Sequence, residues 1–549
     1  MADISKVSVL DPRILQEKPK YAVEKGAASI TNQTFSAIAN SASQQTFQVQ
    51  VPSENVFVDR AVDWVNTARV TVTLTLASAI ATNAAVVTPG VNFSLAPFPM
   101  TQSVSTLQAT INDQSLSINM SDVLPQVLRL ADLAKTRKQR TCPTMLDRYY
   151  DVVSTATYKN SPVGDYGSAY ANDEVPCGAW GDLSFYVVSG GNCSINAAGL
   201  PVNSGSSSAG PYTFGVQFKT AEKLVLPPFI FADEDELSTG LFGIQNMQFT
   251  MNFNQPGRSL RIAAALCSGV PSVSWDSSGT GGTPFSQAQV QVQFLTASLD
   301  APLPAKSIVP WMEFPRYISP VQSIATGTQN VQSQTITLPV IPDLLVIYIK
   351  PQTYNFSGSL DCTQSDWSLP ISNISLSFDN FSGLLSNHSQ YELYKMSVNN
   401  GLEMDWDEWS GQAWAAGSKV ALVGGPLVLR PGRDFQLSTG QAPGLIGQFT
   451  LQFNLTLDNM TGLAYSAATG SGEYGSGCSI YTVTANSGFF ETIRGSSRIL
   501  RGVITEQDIL GAPISEPVQS LERMVGEGKH KKHMGHAAHH KKGMHAYVR

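Results

Sequence analysis

The sequence predicts an all-β protein made of two tandem antiparallel β-sandwiches, each with about eight strands. Segments in which apolar and polar residues alternate, as they do in half-buried strands, recur along the chain, for example at Val70–Leu76 and Met247–Phe253. Turn residues rather than regularly spaced helices separate these segments, which disfavours a parallel sheet covered by helices. A third observation, an internal repeat, predicts that the chain holds two domains of the same kind.

The repeat starts with the tetrapeptide LSTG, which occurs at Leu237–Gly240 and again at Leu437–Gly440. Without a gap, LSTGLFGIQNMQFTMNFN (237–254) aligns with LSTGQAPGLIGQFTLQFN (437–454), and nine of the eighteen positions are identical. A spacing of 200 residues is too long for a solenoid repeat. It therefore indicates a duplicated domain.

A short helix is predicted at the same place in each half. It follows the strand Val70–Leu76 in the first half and the apolar strand Leu344–Lys350 in the second. We expect Ser121 to cap the first helix, with Pro125 in the first turn, where the missing N–H of proline is tolerated. A capping box that begins at Ser389 is predicted to start the second helix.

These patterns divide the chain into segments. They are an N-terminal arm (1–42), a first sandwich (43–300), a proline-rich linker (301–320), a second sandwich (321–495) and a C-terminal arm (496–549). The linker is predicted to be stiff because Pro302–Pro320 contains five prolines. The first half is much longer between its helix and the repeated stretch, so residues 136–223 are predicted to be an insertion.

The charge of the chain is unevenly distributed. The formal net charge is −7, from 35 basic and 42 acidic residues among 549. The last 21 residues hold no acid, six of the seven histidines and six basic residues: Lys529, Lys531, Lys532, Lys541, Lys542 and Arg549. Without those six, 29 basic residues face 42 acidic ones, and the body carries −13. Body and tail are therefore expected to behave differently.

Catalytic motifs are missing from the sequence. One histidine, His388, lies outside the tail, which leaves almost no material for a Ser–His–acid triad. The acidic run Asp233–Glu236 could bind a divalent cation, form a solvated loop or make an intersubunit contact. Met404–Trp409, MDWDEW, places carboxylates beside tryptophans, which suits either glycan binding or cleavage, or structural packing. A carbohydrate-binding or glycan-cleaving β-sandwich protein is therefore one alternative function.

The remaining composition predicts few special features. The six cysteines are scattered without a CxxC pair, so we expect free thiols. No apolar run approaches about 20 residues, so no membrane-spanning helix is expected. We predict no metal and no cofactor.

Three stretches carry a resemblance to a known family: INDQSLSINMSDVL (111–124), YELYKMSVNNGLEMDWDEWSG (391–411) and GGPLVLRPGRDFQLSTGQAPGLIGQFTLQFNLTL (424–457). They resemble the double jelly-roll major capsid proteins, the family of the adenovirus hexon and of Polinton- and adintovirus-type capsid proteins. The resemblance implies two tandem eight-stranded antiparallel jelly-roll barrels with short helices and long inserted loops. It further implies a major capsid protein of a double-stranded DNA virus, located in the capsid shell of the virion and without enzymatic activity.

The same resemblance implies how the protein assembles. In that family three chains form a pseudo-hexagonal capsomer, and these capsomers tile an icosahedral shell. The expected partners are other copies of the chain and minor capsid or penton proteins. The insertion at 136–223 would be an outward-facing tower loop, with the Gly/Ser-rich stretch 199–212 at its tip.

The basic tail has several possible roles. If it faces the capsid interior, its six lysine and arginine side chains could contact packaged DNA or acidic internal proteins. A merely solvating tail, metal binding by its histidines and attachment of a minor capsid protein are the alternatives that the sequence leaves open.

Overall fold

The computed structural model describes residues 29–130, 142–148, 180–229, 240–296, 306–321, 327–351, 362–415, 418–459 and 478–501, except residues 54, 255, 270, 280 and 364. Within these ranges the chain is mostly β-strand and forms two barrels in tandem. One large hydrophobic core runs through both barrels.

The first barrel is built from residues up to Thr296. In chain order its elements are β1 (Ser29–Ser36), β2 (Ala39–Asn40), β3 (Gln44–Gln50), β4 (Val56–Val58), β5 (Asp63–Leu74), β6 (Phe93–Leu95), α1 (Pro99–Ser103), β7 (Val104–Ile111), β8 (Gln114–Asn119), α2 (Met120–Val127), β9 (Leu183–Val187), β10 (Cys193–Ile195), β11 (Pro201–Asn203), β12 (Tyr212–Lys223), β13 (Asn246–Phe253), β14 (Leu260–Ile262), β15 (Ser272–Trp275) and β16 (Phe285–Thr296), with short 3₁₀ turns at Pro256–Ser259 and Ala264–Leu266.

The second barrel begins at Ser307. Its elements are β17 (Ser307–Glu313), β18 (Arg316–Pro320), β19 (Gly327–Gln332), β20 (Ile336–Val340), β21 (Leu344–Pro351), β22 (Ile371–Phe378), β23 (Phe381–Leu384), α3 (Gln390–Asn399), α4 (Trp406–Ser410), β24 (Gln412–Ala415), β25 (Ser418–Ala421), β26 (Leu427–Leu429), β27 (Ile446–Asn459), β28 (Cys478–Ile493) and β29 (Ser496–Arg501).

Each barrel consists of two antiparallel sheets with the same strand order. In the first barrel one sheet runs β1-β16-β5-β12-β9 and the other runs β2-β3-β13-β7-β8. In the second barrel one sheet runs β17-β28-β21-β26, with β18 and β29 also on β28, and the other runs β19-β27-β22-β23, with β20 also on β27. Strands distant in sequence therefore alternate within each sheet, and the prediction of two eight-stranded jelly-roll barrels is confirmed.

The repeated sequence forms the same strand in both barrels. Strands β13 and β27 begin at residues 246 and 446, and each is central in its sheet. Phe249 and Phe449 of the repeated Gln-Phe-Thr are both buried, while their polar neighbours point away from the core. The two LSTG copies cannot be compared directly, because Leu237–Thr239 lies outside the described residues.

The prediction of a proline-rich linker at 301–320 is wrong from residue 307 onward. Strands β17 and β18 pair with β28 and together form the first strand of the second barrel. Proline cannot donate a backbone hydrogen bond, but it is tolerated in a strand at the edge of a sheet. Pro310 and Pro320 lie in such an edge strand, and this location explains why a proline-rich sequence is not a linker here.

The boundaries of three other segments also change. The segment predicted as an N-terminal arm contains β1, which pairs with β16 over its whole length. The predicted insertion includes β12, which is a central barrel strand paired with β5. The predicted C-terminal arm begins with β29, which pairs with β28. In each case a neighbouring strand supplies backbone hydrogen bonds that the local sequence does not reveal.

Two segments of the first barrel lie together outside its sheets: the loop between β5 and β7, and part of the insertion between α2 and β12. The loop between β5 and β7 meets the insertion through bridges from Ile80 to Ser208 and from Ala85 to Val202. The Gly/Ser-rich stretch lies in this region, and Ser204–Ser207 is exposed. Its role as an outward tower remains a prediction.

The predicted start is correct for one of the two helices and wrong for the other. The capping box is present, since Ser389 Oγ accepts the Glu392 N–H and Glu392 accepts the Ser389 N–H. In contrast, α2 begins at Met120, with Asn119 in the capping position and no side-chain hydrogen bond. The prediction that Ser121 caps this helix, with Pro125 in its first turn, is therefore wrong.

Candidate functional site: the junction between the barrels

Buried ion pairs join the two barrels. Arg129, just after α2, contacts Glu408 of α4, with Nη1 and Oε1 2.7 Å apart. Arg258, in the first 3₁₀ turn, contacts Asp366 of the second barrel, with Nη2 and Oδ2 2.7 Å apart. All four side chains are largely buried. Because a buried charge without a partner is strongly unfavourable, these pairs tie the position of one barrel to that of the other.

Asp366 lies within a group of positive charges. Burial alone would raise the pKa of the Asp366 carboxyl, but Arg258, Lys350, Arg261 and Arg129 outweigh that effect and lower it. The carboxylate is therefore kept ionised inside the junction, where it compensates cations contributed by both barrels.

Helix α2 presents backbone carbonyls to the second barrel. Pro125 lies in its second turn and has no N–H to donate to the carbonyl of Ser121. The Lys350 ammonium of β21 donates to that carbonyl instead, at 3.2 Å. The Tyr348 hydroxyl of the same strand donates to the carbonyl of Asp122. The proline that weakens the helix thus creates an acceptor for the neighbouring barrel.

The strands beneath α2 are organised by aromatic stacking. Tyr348 of β21 stacks on Tyr481 of β28, with ring centroids 5.3 Å apart and planes 8° apart. Arg316 of β18 forms an ion pair with the carboxylate of Asp122 in α2. The helix therefore contacts β18 and β21, the two strands that flank β28 in the second barrel.

A second contact lies where two hairpin turns meet. The carboxylate of Asp113, in the β7–β8 turn, accepts the Ser497 N–H at 2.7 Å and the Ser496 hydroxyl at 3.1 Å. The hydrogen bond from the Ser497 N–H lowers the pKa of Asp113. Nearby, the Gly495 N–H donates to the Gly243 carbonyl at 2.8 Å. A side chain at Gly243, whose φ is +75°, would come within 2.8 Å of a backbone nitrogen.

The Trp/acid motif belongs to this junction. Asp405 caps α4 by accepting the Glu408 N–H at 2.7 Å, and its other oxygen lies 2.6 Å from Arg148. Glu408 is paired with Arg129. Burial raises the pKa of Glu408, although the charge of Arg129 opposes this effect. Two of the three carboxylates are therefore committed to the fold.

The tryptophans of the motif also pack rather than line an open groove. Trp409 is buried and donates its Nε1–H to the carbonyl of Pro426 at 2.9 Å. Trp406 stacks on Trp409 and contacts the rings of Tyr391 and Tyr394. This geometry favours the structural interpretation of the motif over a glycan site.

Several predicted residues fall where the structure gives no description. The tail residues Lys529, Lys531, Lys532, Lys541, Lys542 and Arg549 and the acidic run Asp233–Glu236 lie outside the described residues. His388 is described and lies at the end of the turn before α3, directly before the capping residue Ser389. Cys142, Cys193, Cys267 and Cys478 are free thiols, as predicted, and Cys177 lies outside the described residues.

The described part of the chain shows neither a cluster of metal ligands nor a membrane-spanning helix. Among those residues, no group of three or more His, Cys, Asp and Glu could hold a metal ion. The helices in the same ranges are too short or too polar to cross a membrane.

Comparison with known proteins identifies the family. The family model described as Sputnik virophage major capsid protein 1st domain matches residues 2–295, which is more than half of the chain. The chain belongs to this family of virophage major capsid proteins. A second model, described as the major capsid protein V20 C-terminal domain, matches residues 314–488. This virophage capsid protein is therefore a capsid subunit of a double-stranded DNA virus, located in the capsid shell, as the resemblance implied.

Individual relatives agree with that assignment. The putative capsid protein V20 of Sputnik virophage is 24% identical over 536 residues, which cover 95% of this chain and 84% of the relative. The Sputnik virophage structure determined by cryo-EM matches with a TM-score of 0.73 and 23% identity, covering 95% of this chain and 98% of that one. The mavirus major capsid protein matches with a TM-score of 0.66 and 14% identity, covering 92% and 96%. Both structures confirm the fold of the virophage capsid protein.

Proposed function

We propose that three copies of this capsid protein form a pseudo-hexagonal capsomer in which six similar barrels surround one axis, and that capsomers tile an icosahedral shell. The observation that carries the proposal is the equivalence of the two barrels, which share one strand order in both sheets. Two similar barrels in each chain give a threefold oligomer a nearly sixfold outline.

The junction supports the same assembly. A pseudo-hexagonal capsomer requires the two barrels of one chain to keep a fixed relative position. The buried ion pairs Arg129–Glu408 and Arg258–Asp366, together with the meeting of two hairpin turns, provide such a fixed connection.

We propose that the protein acts without catalysis. Its curated relative is a capsid protein, and two carboxylates of the Trp/acid motif are engaged in capping or ion pairs. Minor capsid or penton proteins are proposed as further partners. Packaged DNA is proposed as a partner of the C-terminal tail.

Size-exclusion chromatography with light scattering tests the proposal on the full chain. We expect a mass close to three times 58.9 kDa and no retention on polysaccharide resin. A monomer would contradict the capsomer, and a monomer that binds or cleaves polysaccharide would favour the carbohydrate-active alternative.

A further inference from the structure

The junction within the chain uses a different face of each barrel. The first barrel contributes α2 and β8, which we call the donor face. The second barrel contributes β17, β18 and β21, which we call the acceptor face. Ser115–Ile118 of β8 and Trp311–Phe314 line the two sides of one narrow cleft, while α2 contacts β18 and β21. Because the barrels are duplicates, each face has a counterpart in the other barrel.

The counterpart of the donor face is uncovered in the second barrel. Helix α3 follows β23 as α2 follows β8. Nearly all of α2 is buried, whereas α3 buries Leu393 and Ser397 of its ten residues. Tyr391 is 52% exposed and Val398 40% exposed on α3. Two large apolar side chains thus remain on a helix whose equivalent lies beneath a barrel.

The counterpart of the acceptor face is uncovered in the first barrel. Strand β1 occupies the place that β17 and β18 occupy in the second barrel, since β1 pairs with β16 as β17 and β18 pair with β28, the equivalent strand. Val309 and Trp311 of β17 are buried. In β1, six of the eight residues are exposed, and Ile30 is 61% exposed. Within the described part of the chain, nothing covers this edge strand.

The surface around β1 has the composition of a contact between like copies. No charged residue or histidine occurs from Ser29 to Ser53, or from Ser277 to Leu299, although the body of the chain carries −13. These segments contain β1, β2, β3 and β16. Desolvating charges on association is costly, so an uncharged surface is less unfavourable to bury. Such a surface also offers nothing to attract nucleic acid.

We propose that the uncovered face of β1 and β16 in one copy binds the uncovered face of α3 and β23 in a second copy. The contact between chains would then repeat the contact within the chain. The inference rests on the proposed trimer and names its interface. Because the two faces differ, the contact is head-to-tail, and such contacts close into a ring when the rotation permits.

Charged substitutions on either face test the proposal. Ile30→Arg alters the face of β1 and β16, Val398→Arg alters the face of α3 and β23, and both positions are exposed, so neither change should affect folding. Val187→Arg is the matched control, since Val187 is 56% exposed on β9 at the opposite edge of the same sheet. We expect each interface variant to raise the concentration at which trimers dissociate by at least about tenfold, and the control to remain trimeric. Circular dichroism and thermal unfolding should be unchanged for all three.

A mixing experiment identifies the partner as a second copy. Ile30→Arg retains a normal face of α3 and β23, and Val398→Arg retains a normal face of β1 and β16, so an equimolar mixture should form a dimer containing one of each. A trimeric wild type with trimeric variants would overturn the inference while leaving the capsomer intact, and would assign these faces to another partner. Monomeric variants that fail to form the mixed dimer would also overturn it. A monomeric wild type would overturn the proposed capsomer itself.

Discussion

Arg258 and Asp366 form a buried ion pair in the junction, and each loses its closest counter-charge if the other is removed. We expect Arg258→Ala to destabilise the protein by about 3–5 kcal/mol, because it leaves Asp366 charged, buried and deprived of its closest partner. Chemical denaturation measures the loss. Arg501→Ala is the control, since Arg501 pairs with Glu313 at a more exposed position and should cost less than about 1 kcal/mol. Equal effects at the two sites would contradict a structural role for the buried pair.

The lowered pKa of Asp366 gives the junction a defined pH dependence. A carboxyl whose pKa is lower in the folded state adds stability above its unfolded pKa, about 4, and loses that stability as the pH falls toward the folded value. Thermal midpoints of the wild type and Asp366→Asn should therefore differ most near neutral pH and converge below about pH 4. A difference that stays constant under acid would contradict an ionised Asp366 in the junction.

At the scale of elements, helix α2 depends on the strand it contacts. Lys350→Met should destabilise the protein because the partly buried Ser121 carbonyl loses its donor, a loss of about 1 kcal/mol. Pro125→Ala restores an N–H within the helix that can reach the same carbonyl. Lys350→Met should therefore cost less in the Pro125→Ala background, and a double-mutant cycle of denaturation energies measures the difference. Strict additivity would show that the carbonyl does not couple the two positions.

The sequence located some elements and missed others for physical reasons. The matched strands β13 and β27 were recoverable because alternation and residue identity persist where both faces of a barrel strand are constrained. Strands β17 and β18 were missed because Pro310 and Pro320 are typical of connectors, and their tolerance at a sheet edge depends on neighbours that are distant in sequence. The pairs Arg129–Glu408 and Arg258–Asp366 were missed for a similar reason, since their members lie 279 and 108 residues apart. Only 14% of the residues are charged, so an arginine beside an apolar strand is a reasonable candidate for a buried ion pair. The sequence does not, however, identify the carboxylate with which it pairs.

A further prediction concerns the C-terminal tail, which we propose to contact packaged DNA. Deleting residues 528–549 should leave the capsomer mass per chain unchanged apart from the missing residues, because we expect the barrels to fold independently of the tail. Particle assembly or DNA retention should fall, as measured by DNA content per particle over a range of salt concentrations. Replacing the six basic residues by glutamine is the control that keeps the length of the tail. Loss of the trimer on deletion would show that body and tail are not independent.

At the scale of the whole molecule, duplication accounts for both the covered and the uncovered surfaces. In the proposed ring of six barrels, each barrel contacts one neighbour through its helix face (α2 or α3) and the other neighbour through the face of its first strand (β1 or β17 and β18). One pair of these faces meets within the chain, where buried charges can be tolerated because the chain already holds the barrels together. The other pair is uncharged around β1 and carries exposed Ile30, Tyr391 and Val398, as suits surfaces that must find each other in solution.

Electron microscopy of the purified full-length oligomer tests the central claim most directly. Class averages viewed along the symmetry axis should show three chains as six lobes of similar size in a nearly hexagonal ring. A particle with six lobes and threefold symmetry would support a duplicated barrel that lets a trimer fill a sixfold position. A two-lobed monomer, or an oligomer without a six-lobed outline, would contradict it.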